Sequence, residues 1–142
     1  MSNDLILKKL EQMKTLLSEL KSLLDMPFSE FKKQFTVVRS AERNFQLIVE
    51  LASDLNAHII AELGGETPDT YKESFRRMVS LGVLEEQLLP SFTKSANLRN
   101  ILVHEYDFDE DNYIFYKSAK EFEPLYNRYV ESIKKHLVSQ KK

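Results

Sequence analysis

Four side chains of unlike chemistry fall within eight residues of each other in the second half of the chain. They are the guanidinium of Arg99, the carboxamide of Asn100, the imidazole of His104 and the phenol of Tyr106. Arg99 and His104 together suit one reaction, the cleavage of an RNA phosphodiester by internal attack. A proton must leave the 2′-hydroxyl, another must reach the departing oxygen, and the extra charge on phosphorus must be stabilised. Imidazole is the side chain that exchanges protons near neutral pH, an effect typically worth about 10²–10⁴ in rate. Arginine stays charged and matches phosphate oxygens two at a time. A preorganised donor of that kind contributes about 3–4 kcal/mol to a transition state. Asn100 lies four residues before His104, so the two are neighbours on a helix. It can orient the imidazole or bind a phosphate oxygen.

The helix that must carry these groups is held by Leu98, Ile101 and Leu102. With Leu98 set at zero and about 100° of rotation per residue, those apolar side chains fall between roughly −60° and +40°. Arg99 and Tyr106 fall near 80–100°, Asn100 near 200° and His104 near 240° on the same estimate. The polar groups are therefore expected to point away from the core stripe. Arg99 and His104 stand about 140° apart, so one copy offers a poorly converged pair. Two copies crossing near a two-fold axis would bring two arginines and two histidines into one cleft. On geometry alone a plainer assignment stays open, in which both residues cap and salt-bridge a helix end.

Apolar spacing defines the supporting elements. Ile6, Leu10, Met13, Leu17, Leu20 and Leu24 alternate steps of four and three, a seam that needs a facing helix. Pro27 stops it, and Phe28, Phe31 and Phe35 predict a short amphipathic turn or helix. Val38, Ala41, Phe45, Ile48, Ala52, Leu55 and Ile59 repeat the alternation, and Gly64-Gly65 ends that helix. Thr67-Pro68-Asp69-Thr70 opens the next, with Thr67 or Asp69 as N-cap, and Tyr71, Phe75, Met78 and Val79 as its apolar face. Pro90 suits the first turn of the helix that leads to the polar cluster. Beyond the acidic connector 107–112, residues from Tyr113 to about Val138 are helical, with Phe122, Leu125, Tyr129, Ile133 and Leu137 facing inward. Pro124 must kink this stretch or lie in the first turn of a second segment. The expected fold is an all-α antiparallel bundle of four to five helices. It forms a single domain over 1–138, with a frayed tail at 139–142.

Composition excludes several functions. The absence of Cys rules out disulfides, thiolate metal sites and cysteine nucleophiles. With 20 basic and 22 acidic residues the net charge is −2, so any RNA contact must come from a local patch. No apolar run reaches the roughly 18 residues of a membrane span, and the N-terminus lacks a signal peptide's basic segment; a cytoplasmic protein is expected. His58 and His136 show no metal-ligand spacing. Asp107, Asp109 and Asp111 alternate, but Asn112 and Ser118 occupy the places where a calcium loop needs Gly and Glu. No metal and no cofactor is expected.

Arg-X4-His-X-Tyr, here Arg99, His104 and Tyr106, resembles the signature of HEPN domains, and most closely that of the HepT-like toxins of prokaryotic toxin–antitoxin pairs. The likeness extends to residues 41–50, Asp54, Gly64-Gly65, Pro68, Tyr71 and Leu98-Arg99-Asn100, and covers nearly the whole chain. The resemblance implies a HEPN-like helical homodimer with a composite, metal-independent endoribonuclease site at its interface. Arg99 would contact the scissile phosphate, and His104 would transfer protons or position phosphate. Asn100 occupies the polar position that follows the family arginine. The family's usual partner is a nucleotidyltransferase of the MntA type, which transfers AMP from ATP to the motif tyrosine, here Tyr106. AMP there would set anionic phosphate beside Arg99, seven residues away and on nearly the same side of the helix.

Glu42 and Gln46, four apart on one face, also belong to the resemblance. They either buttress the interface or cleft or form an ordinary solvated face. Arg76, Arg77 and Lys94 are local sources of positive charge for RNA, with a solvated surface as the plainer reading. The alternative to an enzyme is a non-catalytic helical module that docks a nucleotidyltransferase.

Overall fold

Six residues of α1 (Asn3–Leu23) and the turn after it, spaced by threes and fours, are at most 2% exposed. The seam of Ile6 to Leu24 therefore lies wholly inside, as amphipathic spacing requires. The computed structural model describes residues 3–104 and 111–140. After α1 come α2 (Phe28–Phe31), α3 (Phe35–Glu62), α4 (Tyr71–Ser80), a single 3₁₀ turn (Glu86–Leu88), α5 (Leu89–His104) and α6 (Asp111–Gln140). No strand occurs among the described residues. The long α3 packs against α1, α4, α5 and α6, and α6 closes the bundle against α1 and α5.

Two helix ends follow from glycine. Gly64 has φ +85° and Gly82 φ +78°, the left-handed region that other residues enter at a cost of roughly 1–2 kcal/mol. In each case a pair of reversed hydrogen bonds closes the helix. Gly64 donates to the Ala61 carbonyl and Gly65 to that of Ile60, while Gly82 donates to Val79 and Val83 to Met78. Gly65 has a second reason to be glycine: a Cβ there would lie 2.7 Å from Cγ2 of Ile60.

Three expectations need correction. The N-cap of α4 is neither Thr67 nor Asp69 but Thr70, whose side chain accepts from the Glu73 N–H at 3.1 Å. Phe35 does not join Phe31 in the core. It opens α3 and is 74% exposed, because the chain turns between Lys32 and Gln34 and the phase of the apolar face resets. Pro124 begins no second segment and instead lies inside the continuous α6. Asn127 there donates its side-chain amide to the Glu123 carbonyl at 3.1 Å.

The centre of the bundle is aromatic. Phe75 of α4 and Phe92 of α5 stack with centroids 4.9 Å apart, and both meet Tyr126 and Tyr129 of α6 edge-on. The buried hydroxyls are satisfied, as burial demands. Tyr126 shares a 2.7 Å hydrogen bond with Ser95, and Tyr129 donates to Asn56, which in turn donates to Ser74. Burial pushes both phenols well above their usual pKa. This network ties α3, α4 and α6 to the first half of α5.

Candidate active site

α5 leaves the core gradually. Phe92, Ser95, Ala96 and Leu98 are buried, Ile101 and Leu102 are half-buried, and Val103 and His104 are exposed. The final turn thus carries its polar groups out of the bundle on a helix whose first half is clamped.

Arg99 lies partly against the protein, with its side chain 18% exposed. This corrects the expectation that all the polar groups face solvent: near 100° from Leu98, the long side chain reaches the flank of α3 instead of water. Its Nη2 donates to Oε2 of Glu50 at 3.2 Å and its Nη1 to Oδ1 of Asn100 at 3.2 Å. The guanidinium carbon stands 4.8 Å from the centroid of the Tyr71 ring, within cation–π range. Nε is buried and has no hydrogen-bond partner. The planar group is therefore sandwiched between α3 and α4, while both bonds that hold it are at the long end of the normal range.

Asn100 is exposed and joined to Arg99, not turned to the imidazole. His104 closes α5 and is exposed. Tyr106 and the acidic residues Asp107 and Asp109 lie outside the described residues. Among the described residues no cluster of three or more His, Asp and Glu could hold a metal ion.

Sequence reasoning missed the two residues that hold Arg99. Glu50 extends the four-residue series of Glu42 and Gln46 on α3, so its face was readable. Its cation was not, because the pair is 49 residues apart. Tyr71 carries the apolar pattern expected of it but is only half-buried and covers the guanidinium. Glu42 is no solvated residue: it is 6% exposed, accepts from Arg39 at 3.0 Å through Oε1, and its buried Oε2 has no hydrogen-bond partner. Gln46 accepts from Arg43 at 3.4 Å. Arg76 and Arg77 are both paired with Glu73, and Arg77 also donates to the Glu66 carbonyl, so two cations share one carboxylate. His58 pairs with Glu62 at 2.9 Å.

The family model described as ribonuclease HepT-like matches residues 13–133. The chain belongs to that family. It is 32% identical over 126 residues to the tRNA nuclease HepT of Aphanizomenon flos-aquae, a match that covers 87% of this chain and 86% of that one. It is 28% identical over 104 residues to the mRNA nuclease HepT of Shewanella oneidensis, covering 73% and 77% of the two chains. Its fold is similar to that of the tri-AMPylated Shewanella oneidensis HEPN toxin solved in complex with MNT antitoxin. That TM-score is 0.82 at 25% identity, over 94% of this chain and 98% of the other. In this HepT-like chain Arg99 and His104 share one helix, with Arg99 held by Glu50 and Tyr71 and His104 exposed.

Proposed function

We propose that this HepT-like ribonuclease works as a two-fold homodimer whose cleft combines Arg99 and His104 from both protomers. The observation that carries this reading is their divergence about α5. Arg99 is drawn toward Glu50 and Tyr71, whereas His104 is exposed at the helix end, about 140° around the axis. A second copy supplies the convergence that one lacks.

In that cleft an imidazole accepts the proton of the ribose 2′-hydroxyl as the oxygen attacks the adjacent phosphorus. The P–O5′ bond breaks, a cyclic phosphate forms, and a proton passes to the departing 5′-oxygen. Arg99 binds the phosphate oxygens as charge builds on them. Asn100, already joined to the guanidinium, keeps its fork aimed or takes a phosphate oxygen itself. None of these steps requires a metal ion.

The protein acts in the cytoplasm as a toxin, and a nucleotidyltransferase of the MNT type silences it by attaching AMP to Tyr106. The AMPylated state and the antitoxin complex of the Shewanella toxin support that assignment. Each phosphate added beside Arg99 competes with RNA for the same cation. A free phenol is a weak nucleophile at neutral pH, so the transferase must activate it. One relative is a tRNA nuclease and the other an mRNA nuclease, so the RNA class is a property to be measured.

The test is incubation of purified protein with total RNA in a metal chelator, beside His104→Ala and Arg99→Ala. Intact masses establish that Tyr106 is unmodified. Cleavage by the parent and its loss in both variants is the expected result. A folded, unmodified dimer that leaves all RNA intact but still binds the transferase would make the chain a docking module instead.

A further inference from the structure

A groove of about 490 Å³ runs between α5 and the first turns of α6. Its α5 wall is Lys94, Asn97 and Ile101, and its α6 wall is Tyr113, Ile114 and Lys117. Asn97, Ile101 and His104 follow one another at steps of four and three, so they share one side of α5. His104 therefore lies one helical turn beyond Ile101, on the groove's side of α5. It lies on the opposite side of α5 from Arg99 and its partners.

The lining is mixed in a way that suits one ligand. Tyr113 is 53% exposed and Ile114 54% exposed, so both present apolar surface to a ligand in the groove. The Tyr113 ring is braced edge-on by Phe28 at 5.0 Å, which leaves the rest of it available for stacking. Lys94 and Lys117 are exposed and pair with no carboxylate among the described residues. Asn97 offers a carboxamide that can pair with a base edge. Glu121 also lines the groove, so among its lining residues the charge is one positive in excess. An apolar floor with an aromatic ring, flanked by cations and one amide, is the chemistry that holds an unstacked base between two phosphates.

We propose that this groove is a subsite for single-stranded RNA next to the scissile phosphodiester. A base rests on Tyr113, Ile101 and Ile114, Asn97 reads its edge, and Lys94 and Lys117 hold the flanking phosphates. The inference rests on the RNA-cleaving reading for its purpose but not for its test, which is binding. The probe is a labelled ten-nucleotide single-stranded RNA, 2′-O-methylated throughout so that internal attack cannot cut it, followed by fluorescence anisotropy.

The parent should bind it, and Lys94→Glu with Lys117→Glu should weaken binding at least tenfold. The same pair of changes should flatten the slope of log affinity against log salt by about 1.4, two single-strand phosphate contacts. Tyr113→Ala should weaken binding about tenfold with little change in salt slope, and Glu121→Gln should tighten it. Melting temperatures and dimer content of each variant, matched to the parent, separate these effects from misfolding. RNA binding by the unmodified parent without any cleavage of total RNA would sink the nuclease reading and leave the groove standing. Affinity within twofold of the parent in both the lysine pair and Tyr113→Ala would overturn the subsite. So would normal RNA binding with loss of the transferase complex, which would make the groove a protein-docking surface.

Discussion

At the scale of single residues, the chemistry of Arg99 depends on two groups that do not belong to the signature. Glu50 fixes one nitrogen of the guanidinium and Tyr71 covers its face. Glu50→Ala should lower kcat about tenfold while leaving KM for RNA nearly unchanged, since the cation remains but its aim is lost. Glu50→Gln retains an acceptor and should recover most of the rate. Neither change should cost much stability, because the pair is only partly buried and such pairs are worth about 0–1 kcal/mol. His104→Ala should abolish cleavage and leave the melting temperature where it was, since the imidazole is exposed at a helix end. The residues proposed to react were legible in the sequence because they sit within one or two turns of each other. Glu50 was not, because nothing local says which of several carboxylates on α3 the folded chain will bring to α5.

Among the elements, α4 and α5 meet through a stacked aromatic pair, and that contact positions the helix that bears the site. Phe75→Ala should cost about 3–5 kcal/mol, visible as a large fall in the midpoint of urea unfolding. Thr70→Ala removes the cap of α4 and should cost about 1 kcal/mol. Glu73 gives this end of the bundle a pH dependence. Its side-chain hydrogen bonds from Arg76 and Arg77 hold the carboxyl at about 2, below the ordinary 4.5. A carboxyl so depressed stabilises the fold fully above pH 4.5 and loses that contribution as pH falls toward 2. Melting temperatures of the parent and Glu73→Gln should therefore differ at neutral pH and converge in acid. The seams of α1, α3 and α6 were readable because long helices average over many turns of spacing. Thr70 was readable too, as Thr-X-X-Glu ahead of an apolar run, but Thr67 and Asp69 compete within the same four residues. The inward face of Tyr129 was readable from the spacing of α6; the burial of Tyr126 was not, since that phenol sits inside only because Ser95 meets its hydroxyl.

For the whole molecule, the decisive feature is that α5 sends its arginine and its histidine to different sides. Under the proposed two-fold arrangement, equilibrium sedimentation should give a dimer at concentrations where the enzyme is active. The same division of labour has a genetic consequence. A chain with Arg99→Ala still presents a sound histidine, and one with His104→Ala still presents a sound arginine. Each alone should be harmless to a cell. Mixed in one assembly, they should rebuild one arginine–histidine pair between them and recover part of the activity that neither carries. Two such broken alleles expressed together would then restore toxicity, so an inactivating lesion in one gene copy could be undone by a different lesion in another.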